Sequence, residues 1–259
     1  MVDATNERFS PGVFSPAPQR SSVSTMMWAQ GKIETKLFLR HGEQQLLSLI
    51  IPLGLLVGIA KIPFLGVEDP LTHGFPMMLA IAVTSSGFTG QAIALAFDRR
   101  YGALKRTGAS GVPAWAIIAG KVIAVAAMVI FQVLVLGATA YLLGWRASGS
   151  GVLMGLAILL LGVACFTSLG LLFGGSLSSE IVLAGANLLW VILVAVTGWV
   201  LYEFGLTVST WFDLIPSVAL ASGLAQAFEG IVPWSQALIL VTWTVFITVA
   251  CTRFFKFAG

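Results

Sequence analysis

The chain has 259 residues, 58% of them hydrophobic and only 10% charged, with 14 Lys+Arg against 11 Asp+Glu and a mean hydropathy of +0.95. Ordinary soluble domains are about 45–50% apolar and about 25% charged, so a soluble enzyme, a disordered chain and a secreted disulfide scaffold are excluded. The uncharged stretches from Lys121 to Arg146, Arg146 to Glu180 and Glu180 to Glu203 each exceed the about 20 helical residues that cross a hydrocarbon core; this is an all-α polytopic membrane protein.

Residues 1–22, with Pro11, Pro16, Pro18, Ser21 and Ser22, read as a flexible cytoplasmic tail. A helical pattern covers 23–44: Val23, Met26, Ile33 and Leu37 share one face, while Lys32, Lys36 and Arg40 line another. A surface helix of no special role would suffice. Its position directly before a span favours an amphipathic interfacial helix on the headgroups. Six spans are expected over 45–259, at about Gln45–Phe64, Phe75–Phe97, Ala114–Leu143, Gly151–Phe173, Leu177–Tyr202 and Val232–Thr252. Between the last two, 203–231 holds a capping-box pattern, Thr210 with Asp213, before Leu214-Ile215-Pro216. A short outer helix is expected there, re-entrant or interfacial.

With the amino terminus inside, every Lys and Arg except Lys61 and Arg146 falls on the cytoplasmic side, so both termini are expected there. The basic excess then reports topology and anionic lipid rather than nucleic acid. Trp28, Trp115, Trp145, Trp199, Trp211 and Trp234 fall near the span ends, as an aromatic belt requires.

Every Asp, Glu, Lys, Arg and His is expected at or near a span end. Ion-coupled carriers bury a carboxylate or histidine mid-membrane, and no such residue is offered here. His41 and His73 lie outside the spans, which removes haem ligation within helices and metalloprotease clusters. Gly120-Lys121-Val122 lacks the upstream glycine of a phosphate-cradling loop. The chain is therefore expected not to be an enzyme by itself, to hold no metal, and to receive any energy from another subunit.

A polar cluster, Thr84, Ser85, Ser86, Thr89 and Gln91, falls in span two, with Gln132 in span three and Asn187 and Thr197 in span five; of these, Thr84, Ser85, Thr89, Gln91, Gln132, Asn187 and Thr197 are the pathway candidates. Two readings stand for each: interhelical hydrogen bonding, or the lining of a substrate path. Mostly apolar walls with scattered hydroxyls and amides suit an amphipathic or lipid-like cargo better than an ion. Gly54 with Gly58, and Gly170 with Gly174, permit close helix approach.

Between spans two and three the chain reads Phe97-Asp98-Arg99-Arg100-Tyr101-Gly102-Ala103-Leu104-Lys105-Arg106-Thr107-Gly108, followed by small residues and Gly120-Lys121. This Gly-x-Leu-Lys-Arg core, the span order and the Leu214-Ile215-Pro216 element resemble the permease subunits of type-2 ABC exporters, the ABC-2 family, along nearly the whole chain. The resemblance implies a dimer with a second, identical or related permease and two copies of a separate ATPase, which would bind the ATP and Mg. It implies the cytoplasmic (plasma) membrane of a bacterium, and outward, multidrug-type export of an amphipathic, drug-like or lipid-like cargo. ATPase docking would fall on Arg99, Arg100, Gly102, Leu104, Lys105 and Arg106. Glu180, in the turn on the same side, either joins that contact or caps the fifth span. Gly54 and Gly58 lie either at the permease dimer or in packing within one subunit. The rival functions are an ATP-independent channel or facilitator and a structural or assembly subunit of a membrane complex.

Overall fold

The computed structural model describes residues 21–40, 46–61, 70–109, 112, 114–207 and 211–254. The Thr210 half of the expected capping box, the far end of the first expected span and most of the tail lie outside them.

The described chain is helical throughout. It runs α1 (Val23–Arg40), α2 (residues 46–61, a π-helical Leu46–Ile50 continuing into Ile51–Lys61), α3 (Pro70–Arg100), α4 (Ala103–Ala109), α5 (Ala114–Leu142), α6 (Gly149–Ser176), α7 (Ser179–Phe204), a 3₁₀ turn (Trp211–Leu214), α8 (Pro216–Phe228) and α9 (Trp234–Phe254). Among the described residues five helices, α3, α5, α6, α7 and α9, are long and apolar enough to cross a membrane. The first expected span appears as a shorter apolar helix, Ser48–Lys61.

The most polar long helix is the most buried one. From Leu71 to Ala92 nearly every residue of α3 is enclosed, because α2, α5, α6 and α8 all pack around it. Hydroxyls and amides placed on the central helix can meet partners from its neighbours, whereas on a lipid-facing helix they would meet only hydrocarbon. The outer helices show the complement: α7 and α9 expose Leu188, Val191, Leu238 and Phe246, as helices facing acyl chains do.

Small residues set the closest crossings. A Cβ on Gly170 would stand 2.6 Å from the Gly87 carbonyl oxygen, and one on Gly174 would strike the Ala92 carbonyl. At Gly87, α3 departs from α-helical geometry over the π-helical turn Ser85–Gly90, a distortion often found at functional sites. Higher on α6, Gly155 and Gly162 receive the Phe228 ring and the Leu220 side chain of α8.

Helix α8 is short, yet Pro216 through Ala227 are all buried, with α3, α6, α7 and α9 around it. Pro216 at its first turn needs no N–H partner. Asp213 does not cap this helix. Its Oδ1 accepts from Ser222 Oγ (3.2 Å) and its Oδ2 from Gln236 Nε2 (2.8 Å), which ties the 3₁₀ turn to α8 and α9. Phe75, Trp145 and Phe228 form an aromatic cluster with centroids 4.5–5.6 Å apart.

Helix α1 lies against the opening of α5. Gly31 faces Ile123, where a Cβ would come within 2.8 Å of Cγ2, and Gly120 faces Gln30. The apolar stripe expected from the sequence does not make this contact: Ile33 and Leu37 are exposed, as is Trp28.

Candidate functional site

Three charged residues from three helices meet where α3 ends and α5 begins. Lys121, about two turns into α5, is 1% exposed; its Nζ donates to Asp98 Oδ2 of α3 at 2.6 Å and to Glu34 Oε1 of α1 at 3.0 Å. Gln30 Nε2 also donates to Glu34 Oε1, at 3.0 Å. In the sequence Lys121 counts only as one more cytoplasmic charge. The fold buries it, and a buried ammonium is tolerable only with such partners. Nothing in the spacing of Glu34, Asp98 and Lys121 foretells their meeting, since it depends on how α1 crosses α5.

Beside this cluster opens a cavity of about 580 Å³, within the size range of small-molecule sites. Its deep wall is α3 from Ser85 through Thr89 and Gln91 to Phe97; its far wall is α7, with Leu183, Asn187 and Trp190; Glu34, Asp98 and Tyr101 edge it. Thr89 and Gln91 are 5% and 3% exposed. The Thr89 hydroxyl, the Gln91 carbonyl oxygen and the Trp190 indole N–H are buried without a hydrogen-bond partner among the described residues. Buried polar atoms are nearly always paired, and these three belong to residues that line one void, which marks it as the candidate site. The π-helical turn carries Ser85 and Thr89 and so shapes this wall.

Of the seven pathway candidates, Ser85, Thr89, Gln91 and Asn187 line the cavity, although Asn187 Nδ2 also donates to the Leu183 carbonyl at 2.8 Å. The other three serve the packing. Thr84 donates to the Ala80 carbonyl. Gln132 Nε2 donates to the Ser48 carbonyl (2.9 Å) and to Ser86 Oγ (2.8 Å), joining α5 to α2 and α3. Thr197 Oγ1 donates to the Leu193 carbonyl at 2.8 Å and lies 2.9 Å from Ser217 Oγ of α8.

The docking candidates divide in the same way. Arg99 is 7% exposed, and its guanidinium donates to the carbonyls of Gly174 (2.7 Å) and Leu177 (3.0 Å) at the end of α6. Leu104 is buried with Leu95, Ile117 and Leu171. Gly102 holds φ +69°, a left-handed turn that favours glycine and swings α4 away from α3. The Gly-x-Leu-Lys-Arg pattern thus has a local cause: glycine turns the chain and leucine anchors the short helix. Arg106 then donates to the Tyr101 carbonyl at 2.9 Å. Arg100, Lys105 and Arg106 remain exposed, and so does Tyr101 at 65%, a residue the sequence did not single out. Arg100 Nη1 reaches Glu180 Oε1 at 2.5 Å and Ser179 Oγ at 3.0 Å, and Glu180 occupies the first turn of α7. Gly170 and Gly174 sit in the α3–α6 crossing, whereas a Cβ on Gly54 or Gly58 would meet nothing within 4 Å.

The family model of the ABC-2 type transporter matches residues 25–228, a stretch that runs from the first turn of α1 to the end of α8. No curated protein matches the chain. The matched stretch contains the cavity, the charge cluster and the buried helix α8, and the chain belongs to the ABC-2 type transporter family, as a membrane-spanning permease subunit.

Proposed function

We propose that this permease moves an amphipathic, drug-like or lipid-like cargo outward through the α3–α7 cavity, driven by a separate ATPase subunit. The 580 Å³ void with unpaired Thr89, Gln91 and Trp190 polar atoms carries this reading. Its walls are mainly apolar with a few convergent polar groups, the composition of an amphipathic-ligand site.

In this reading, residues 46–61 form the first of six spans, both termini are cytoplasmic and α1 rests at the inner headgroups with Trp28 and Ile33 toward lipid. The ATPase seats on α4 and the turn before it, where exposed Arg100 and Tyr101, with Lys105 and Arg106 of α4 itself, offer an aromatic and three cations. ATP and Mg belong to that partner, and the permease itself performs no hydrolysis. Closure of the ATPase pair pushes α4; because Leu104, Arg99 and the Lys121 cluster fasten the ends of α3, α5 and α6 together, the push reaches the cavity wall. A second permease copy packs on the open Gly54–Gly58 face of α2.

Co-expression with the cognate ATPase provides the test. The complex is expected to co-purify, and ATP hydrolysis to respond to cargo. Changing Arg100, Lys105 and Arg106 together to Ala is expected to break that coupling. Nucleotide-independent flux through the isolated permease would instead favour a channel. Unchanged coupling in the triple variant would remove α4 as the docking site.

A further inference from the structure

The cavity mouth is asymmetric in charge. Glu34 and Asp98 are the charged residues among those lining it, and both receive hydrogen bonds from one ammonium, Lys121 Nζ. Two carboxylates against one lysine leave a net single negative charge. Among the nearby basic groups, Arg99 donates to the Gly174 and Leu177 carbonyls, Arg100 pairs with Glu180, and Arg106 reaches the carbonyl of Tyr101, itself a lining residue; Lys32, Lys36 and Arg40 line a separate groove between α1 and α5. Among the described residues, the cation within ion-pair distance of the Glu34 and Asp98 carboxylates is Lys121.

The carboxylates are also only partly covered: the side chains of Glu34 and Asp98 are 17% and 35% exposed, while Lys121 is sealed behind them at 1%. A molecule in the cavity therefore meets carboxylate oxygens before it meets the ammonium. Phe97, Tyr101 and Trp190 supply aromatic rings on the lining, with Phe97 and Tyr101 stacked at 5.9 Å, and ring faces attract cations. Further in, Gln91, Thr89 and Trp190 present the unpaired acceptor, hydroxyl and donor described above.

We infer that the cavity selects amphipathic organic cations: an apolar body between α3 and α7, one neutral hydrogen-bonding group toward Gln91, and a positive charge at Glu34 and Asp98. This rests on the cavity reading of the proposed function and adds the charge of the ligand to it. In low dielectric a single uncompensated carboxylate discriminates strongly between a cation and a neutral molecule of equal shape.

The test uses the full chain in nanodiscs, with binding to empty nanodiscs subtracted, and two probes of similar bulk: tetraphenylphosphonium, a cation, and triphenylphosphine oxide, which is neutral. The wild type is expected to bind the cation at least about tenfold more tightly. Glu34→Gln leaves the Asp98–Lys121 pair in place and removes the excess negative charge, so the ratio of cation to neutral-probe affinity is expected to collapse toward unity. Glu34→Asp keeps the charge and is expected to keep the preference, which separates loss of charge from loss of fold. Ala94→Trp, which sets a large ring on the cavity lining, is expected to weaken both probes by filling the void. Equal affinities in the wild type, or a preference that survives Glu34→Gln, would overturn the charge assignment while the cavity reading stands on the Ala94→Trp result. Absence of saturable binding of either probe, or indifference of both to Ala94→Trp, would overturn the cavity reading and this inference with it.

Discussion

The ammonium of Lys121 lies 2.6 Å from the Asp98 carboxylate, joining the first turns of α5 to the last turns of α3, and its second bond to Glu34 brings in α1. Removing the buried lysine leaves two partly covered carboxylates facing each other without a cation between them. Breaking a buried ion pair by deleting one partner costs about 3–5 kcal/mol. Lys121→Met is therefore expected to lower thermal stability in detergent sharply. Lys121→Met combined with Glu34→Gln and Asp98→Asn is expected to recover most of it, since well-packed neutral replacements often match a buried ion network.

Arg99 and Arg100 are neighbours in sequence with opposite fates. Hydrogen bonds from a charged donor contribute about 1.5–3 kcal/mol, and Arg99 makes two to the end of α6. Arg99→Ala is expected to lower the melting temperature. The Arg100–Glu180 pair is half exposed or more, a class of ion pair with a contribution near about 0–1 kcal/mol. Arg100→Ala is expected to leave the melting temperature nearly unchanged and to reduce ATPase coupling. Thermal unfolding and ATPase stimulation, measured on the two single variants, check both expectations.

Glycines on α2 and α6 differ in the same manner. Gly170→Ala places a Cβ 2.6 Å from a backbone oxygen of α3, where neither side yields cheaply, and is expected to destabilise the fold. Gly54→Ala meets open space and gains about 0.8–1 kcal/mol of helix propensity, so monomer stability is expected to hold or rise. Cross-linking of permease pairs after Gly54→Leu is expected to fall; unchanged cross-linking would place the second copy elsewhere.

Gln132 and Gln91 make a third contrast. The Gln132 amide bonds to Ser48 and Ser86, and interhelical bonds of this kind contribute about 0.6–2 kcal/mol. Gln132→Leu is expected to lower stability by that order, read as a melting shift, without changing which cargo is transported. A changed cargo profile in Gln132→Leu would place that residue on the path.

The sequence was most legible where periodicity and charge act locally. Spans three to six emerge within a few residues of their expected ends, as Ala114–Leu142, Gly149–Ser176, Ser179–Phe204 and Trp234–Phe254, because apolar length alone dictates them. Four of the polar pathway candidates share one cavity: Ser85, Thr89 and Gln91 lie on the buried α3, where polar residues are enclosed wherever they fall, and Asn187 joins them from α7. What local pattern does not encode is which partner each polar group finds. Gln91 and Gln132 look alike in sequence, yet one is unpaired and the other triply engaged. Asp213 suits a cap by spacing, and Ser222 and Gln236 also reach it from two other helices, a pair of contacts the spacing does not encode. Lys121 obeyed the positive-inside rule and concealed a buried ion network. The apolar face of α1 was visible, whereas the glycine contact that seats the helix, Gly31 on Ile123, depends on a crossing angle set by both helices.

The account stands most directly on Gln91. In proteoliposomes holding the permease with its ATPase, ATP-dependent cargo movement is the quantity to measure, alongside the melting temperature of the same preparation. Gln91→Leu replaces an unpaired buried amide with an apolar group, a change that is near neutral for stability, so the melting temperature is expected to hold while transport and cargo-stimulated ATP hydrolysis fall by about tenfold or more. Full transport by Gln91→Leu at unchanged stability would contradict passage of cargo through the α3–α7 cavity.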